Sequence, residues 1–338
     1  MSVGVRQMCC EVAITQQGFA RAAEHLANLA QIKISPERLR VVTQTEGRQV
    51  LQVQAAGLLQ PAFNASECKG GPQGHSRVYI GADGVKVPMV TAVEKAKRRK
   101  GRRRRKKSRS ARRMHRGADN AYKEFKIATI YDESNERRQV AATSGNHEVL
   151  GRLMRRQAQL IELGKADEKI AIVDGADWIA KQLNGKLPML DKVILDFYHL
   201  SEHIWLAANK CFGQDTDAAK EMASRLLHIA KHDGVGALLT AIETQRKKYR
   251  HGAKRQTLNE LFNYVSNRAA MCDYPRYLDK GWQIGSGPTE AMCKILTYRL
   301  KGPGMRWDRY GADAMMALIA LRESNTWKSY WDSQKHAA

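Results

Sequence analysis

The chain is short of acidic residues, and over one stretch it has none. Against 57 Lys and Arg stand 34 Asp and Glu, a formal net charge of +23. An excess of that size makes attraction to a polyanion hard to avoid, and nucleic acid is the commonest such partner. An anionic membrane surface is the rival, but no run approaches the roughly 20 apolar residues of a spanning helix. Nor does the N-terminus carry a basic stretch followed by an apolar signal core. The expectation is a soluble, cytoplasmic, nucleoid-associated protein with no membrane partner. Cysteine is sparse as well: Cys9, Cys10, Cys68, Cys211, Cys272 and Cys293 form no CxxC pair and no zinc-ribbon spacing. They read as reduced, mostly buried thiols rather than a structural zinc site.

The acid-free stretch runs from Lys95 to Arg116 and holds fifteen Lys and Arg. No apolar periodicity passes through it, so the pattern predicts a disordered or mobile arm. Each phosphate it neutralised would release counterions and steepen the salt dependence of binding, adding affinity without specificity. Without this arm the protein is only mildly basic. With 338 residues and 43% hydrophobic content, the remainder can build two or three compact units.

Two short β-branched runs, Ile170–Val173 and Val193–Leu195, each end in an aspartate, Asp174 and Asp196, and each precedes a helical pattern. Such runs suit parallel strands buried on both faces. A carboxylate just past the end of a central strand stands in the crevice where α/β proteins keep their chemistry. Upstream, RVYIGADGVKVPMV (Arg77–Val90) reads as a strand with Asp83 in its middle, although Asp83-Gly84 alone reads better as a turn. FKIATIY (Phe125–Tyr131) and RQVAAT (Arg138–Thr143) are two more strands, and His147–Leu163 is an amphipathic helix. Residues 197–280 show helical segments and no convincing strand. In WQIGSGPTEAMCKILTYRLK (Trp282–Lys301) a Gly-Ser-Gly loop and Pro288 open a helix with Met292, Ile295, Leu296 and Leu300 inward. Glu290 lies in its first turn, where the helix dipole alone would favour an acid.

The first 55 residues read as two helices joined by Gln31–Ile34. Ser35-Pro36 starts the second, about Pro36–Val50. If the pair were a helix-turn-helix, Arg38, Arg40 and Arg48 would enter a major groove. The other reading is an ordinary helical hairpin packed on the main domain.

Asp83, Asp174 and Glu290 occupy positions that converge on one face of the sheet in a ribonuclease-H-like fold. Carboxylates that flank two divalent ions about 4 Å apart suit magnesium or manganese. The runs VYIGADGVKV, IAIVDGADWI, LDFYHLSEHI and IGSGPTEAMCKILTYRLKGPGMRW resemble the transposases of ISKra-type bacterial insertion sequences, DDE transposases with an all-helical insertion. The last run is the most specific, because GSG, Glu290, Arg299, Lys301 and GMRW occur together in order.

The resemblance implies an α/β fold: a ribonuclease-H-like mixed-sheet catalytic core with an all-helical insertion and a helical N-terminal region. By number, the expected division is a helical N-terminal region 1–60, a linker 61–77, a first core part 78–212 containing the basic arm 95–116, the insertion 213–280, a final core part 281–331 and a tail 332–338. It implies Asp83, Asp174 and Glu290 as a metal-binding catalytic triad for two Mg2+ (or Mn2+) ions. Asp196, His199, Glu202 and His203 would support it or position a DNA end, and the His199/His203 spacing would also fit a metal pair or a polar helix edge. Arg102, Arg103, Arg104, Arg105, Lys106, Lys107, Lys294, Arg299, Lys301, Arg306 and Trp307 would contact DNA, with core packing the competing reading for Trp307. The implied partners are element terminal repeats and target DNA, bound by a homo-oligomer, and the implied activity is end cleavage and strand transfer. Related transposases usually carry more sequence ahead of MSVGVRQMCCEV, so a truncated, non-catalytic DNA-binding copy is one alternative. A structure-selective nuclease on the same fold is another.

Overall fold

The computed structural model describes residues 1–105, 120–302, 305 and 307–336. Helices α1 (Val3–Thr15), α2 (Phe19–Ala30) and α3 (Pro36–Ala56) lead into strand β1 (Arg77–Met89) and helix α4 (Ala92–Arg105). Strands β2 (Asn120–Asp132) and β3 (Arg138–Thr143) follow, then α5 (His147–Leu160), β4 (Glu168–Val173), α6 (Asp177–Lys186) and β5 (Lys192–Leu195). From there the chain is helical: α7 (Phe197–Phe212), α8 (Asp217–His232), α9 (Val235–Lys247), α10 (Ala253–Ser266), α11 (Tyr274–Asp279), α12 (Gly287–Lys301), α13 (Arg309–Glu323) and α14 (Trp327–His336). No helix among the described residues is long and apolar enough to cross a membrane. All six cysteines are unpaired and buried.

The strands form one mixed sheet in the order β3-β2-β1-β4-β5. The meander β1-β2-β3 is antiparallel, whereas β4 and β5 run parallel to β1. The parallel pair needs a crossover, which α6 supplies. Strand alternation then divides the core into two layers. Val78, Ile80, Ala82, Ala171 and Val173 pack against α5 and α6 through Leu150, Met154, Ile179 and Leu183. Tyr79, Ile170, Ile172 and Ile194 turn to the opposite face and meet α7, α8, α9 and α10. Further along that face, Val87, Phe125 and Ile127 pack on α12 and α13. The alternation that buries Tyr79, Ile172 and Ile194 sends Asp83, Asp174 and Asp196 to their side of the sheet.

Two local expectations are corrected. The N-terminal region holds three helices rather than two, because Ser2 caps an additional one by accepting from the Val5 amide. Helix α3 packs on the main body: its buried positions Leu39, Val42, Thr43, Glu46 and Val50 leave Arg38 and Arg48 outward. Outward arginines on a packed helix fit both readings of the pair. Finally, the basic stretch is helical up to Arg105. Thr91 accepts from the Glu94 amide at 3.2 Å, Glu94 pairs with Arg98 at 2.6 Å, and Lys95 pairs with Asp308. Lys and Arg are good helix formers once a start is fixed. The remainder of the arm, 106–119, lies outside the described residues, and the expected tail is helical to His336.

Candidate active site

In the parallel ladder Ile80 is level with Ala171. The ladder ends there, and continuing its register would set Asp83 beside Asp174, whose carboxyl feels the Asp83 charge. On the other side Val173 is level with Leu195, so Asp174 and Asp196 follow side by side. Neighbouring strands lie about 4.8 Å apart, so the continued register would carry three carboxylates across β1, β4 and β5. Asp83 stays within an unbroken strand: Asp83 faces Ile127 and Gly84 faces Lys126 across β2. The turn reading of Asp-Gly is thereby set aside.

Asp174 is half-buried, and its Oδ1 accepts from the Ala176 amide at 2.8 Å. Burial raises its pKa above the usual carboxylate range, and the neighbouring Asp83 charge adds to the rise. The Ala176 amide, His199 and Arg268 pull the other way. Arg268 was not anticipated, and nothing in the local sequence signals it. Its Nε and Nη2 both donate to the Gly175 carbonyl, at 3.0 and 2.9 Å, so the helical segment after α10 grips the turn that presents Asp174. The same guanidinium lies 4.3 Å over the Tyr264 ring, and Tyr264 stacks on His203 at 3.7 Å. Partial burial followed by the Arg268 charge lowers the His203 pKa. Asp177, three residues beyond Asp174, is fully exposed and lies 3.9 Å from Arg268.

Glu290 comes within 4.8 Å of Asp196 and His199, because α12 lands directly on the sheet. Gly81 faces Thr129 across β1 and β2, and the Thr129 and Thr289 hydroxyls are 2.8 Å apart. A Cβ at position 81 would overlap the Thr289 hydroxyl. Gly81→Ala is therefore expected to lift the first turn of α12 and to cost about 1–3 kcal/mol as overpacking. A denaturation midpoint equal to that of the wild type would show that the contact yields freely.

Asp196, His199 and Glu290 each offer one donor atom within 4.8 Å of the others, the group of this kind found among the described residues. Asp196 is already committed. It caps α7 through the Tyr198 amide at 2.7 Å, and its other oxygen accepts from the Ser286 amide at 3.0 Å and from the Ser286 hydroxyl. It thus ties the end of β5 to the loop that opens α12. His199 lies 3.4 Å from Glu202. Beneath the site Cys293 is buried, and burial, then the Asp83 and Glu290 charges, push its thiol far up. Carboxylate oxygens suit a hard divalent cation; among the described residues the gathered group is Asp196, His199 and Glu290, and of the expected triad it holds Glu290 but not Asp83 or Asp174, which repel each other in a half-buried setting.

The basic residues divide. Lys294 and Lys301 are exposed on α12, and Arg102, Arg103, Arg104 and Arg105 lie in the last turn and a half of α4. Lys106, Lys107 and Arg306 fall outside the described residues. Arg299 and Trp307 are corrected: they are 2% and 4% exposed, too deep to meet a duplex. The Arg299 guanidinium sits between Phe19 and Trp307, at 4.8 and 5.2 Å, and its Nε donates to the Ala13 carbonyl at 3.0 Å. Burial lowers its pKa to about 10. It holds the N-terminal helices against α12.

No protein-family model and no curated protein sequence matches the chain. Among solved structures, the Drosophila P element transposase strand transfer complex is similar, with a TM-score of 0.33 and 11% identity over 99% of this chain and 81% of that one. So slight a likeness decides nothing about the chemistry, for which the geometry above is the basis.

Proposed function

We propose that the protein is a metal-dependent DNA transposase of the DDE type, with Asp83, Asp174 and Glu290 as the cation-binding carboxylates. The observation that carries this reading is the pairing of β1, which bears Asp83, with β4, which leads into Asp174, beside a helix whose Glu290 lies with Asp196 and His199. The strand order, with its antiparallel meander ahead of two parallel strands, supports a ribonuclease-H-like core. Mg2+ or Mn2+ held there would activate a water or hydroxyl and stabilise the in-line transition state at phosphorus. The chain's own contribution is to fix the Asp174 turn through Ala176 and Arg268 and to set Glu290 through Thr289. The resemblance to ISKra-type sequences adds terminal-repeat and target DNA as substrates and a homo-oligomer as the working assembly.

The test is incubation with Mn2+ and a DNA carrying terminal repeats beside a target plasmid. Joined products support transposition. Cleavage without joining would favour a nuclease, and binding without cleavage a regulatory copy. Basic helix α4 begins three residues after β1, the strand that bears Asp83, which supports a role for it in holding the substrate backbone. Replacing Arg102, Arg103, Arg104 and Arg105 with Gln is expected to flatten the slope of log K against log salt by about 3. An unchanged slope would remove α4 from the interface.

A further inference from the structure

We propose that Tyr198 is a stacking platform for an unpaired nucleobase beside the carboxylate cluster, an inference that rests on the DNA-acting reading above. A single exposed aromatic residue normally needs no explanation. This one is 67% exposed yet held on every covalent side. Its amide is fixed by Asp196 at 2.7 Å. The preceding Phe197 turns inward and meets Tyr274 edge to face, with ring centroids 5.1 Å apart, so Tyr198 is directed out. Its ring rests against the backbone at Gly285, where a Cβ would come within 2.8 Å of the ring edge. Asp196 also binds Ser286, next to Gly285, so the tyrosine and its backing surface share one anchor.

The next residue, His199, stands with Glu290. One turn beyond Glu290, Lys294 is exposed on α12. An open ring on a rigid backing, one residue from the Asp196, His199 and Glu290 group in a strongly basic chain, matches what a base with its phosphate requires. A pre-positioned ring loses little conformational entropy on stacking. A tyrosine platform tolerates any base, because every base has a π-face.

The experiment uses the full chain in EDTA and a thymidine strand on the order of 16 nucleotides with one 2-aminopurine. Wild type and Tyr198→Phe are expected to quench the probe and to bind about tenfold tighter than Tyr198→Ala. Placing an abasic site at the probe position removes that difference. Thermal melting of Tyr198→Ala matches the wild type, since the ring is exposed. Equal quenching and affinity in Tyr198→Ala would overturn the platform. If wild type also cleaves repeat DNA with Mn2+, the DNA-acting reading survives that result, whereas a wild type that neither binds nor cleaves overturns both. Unaltered DNA binding with a changed assembly mass in Tyr198→Ala would assign the ring to a contact between copies and likewise overturn the proposal.

Discussion

Asp174→Asn is expected to lower Mn2+-dependent cleavage of repeat DNA by about a thousandfold, the loss of several kcal/mol of transition-state stabilisation. DNA affinity should be unchanged in EDTA. The same substitution has a second signature that needs no DNA. The Asp174 carboxyl is raised in the fold by burial and by Asp83, so folding favours its neutral form. The stability linked to that form is complete below the unfolded-state pKa and is lost as pH rises through the higher folded value. At neutral pH the charge is therefore a cost, and Asn removes it. In EDTA at pH 7 the variant should melt at or above the wild-type temperature, and the gap should close as pH falls below the unfolded-state value. Added Mn2+ should raise the melting temperature of the wild type and leave that of the variant nearly still. A variant that melts lower, or gains equally from Mn2+, would mean that Asp174 braces the fold instead of receiving a cation.

The second large effect is expected one strand over, and it has the opposite character. Asp196 is 0% exposed and accepts three hydrogen bonds that join β5, α7 and the loop before α12. Asp196→Ala removes a helix cap, worth about 1 kcal/mol. It also leaves two Ser286 donors without their partner, at about 1–3 kcal/mol each. Destabilisation of about 3–4 kcal/mol, read from a urea midpoint at unchanged slope, is the expected result. Asp196→Asn should recover only part, because its amide nitrogen cannot accept from Ser286. A fully stable Asp196→Ala that has lost its Mn2+ thermal shift would move Asp196 from the frame to the ligand set. The two neighbouring aspartates thus separate by opposite responses: one variant inactive and stable, the other unstable.

The strands were legible because their β-branched runs are short and end at acids. β4 and β5 fall on Ile170–Val173 and Val193–Leu195, with β4 starting two residues earlier and β5 one. What alternation within a strand could not supply was the neighbour. Nothing near Asp83 in the sequence says that β1 pairs with the strand leading to Asp174; that is a matter of the pairing between β1 and β4. Arg268 was invisible for the same reason, since its partner, the Gly175 carbonyl, lies far away along the chain. Arg299 was misread although the spacing contained the answer. Positions 292, 296 and 299 fall on one helix stripe, and the structure buries Met292, Leu296 and Arg299 together, whereas Ile295, expected inward, is 37% exposed. Charge had been weighed above periodicity. In α4 the reverse applied: a run without apolar rhythm gave no helical signal, and its start is held by Thr91, Glu94 and Asp308.

The landing of α12 on Gly81 also sets a clock. Glu290 follows Asp83 by roughly two hundred residues, and at about 5–20 residues per second a ribosome needs at least about 10 s to bridge them. Throughout that interval the emerging polypeptide has its strand aspartates but no α12, and hence no complete carboxylate set. On the proposed reading, a chain stalled before Gly287 lacks its third carboxylate, and the set is completed only when α12 has left the ribosome and docked.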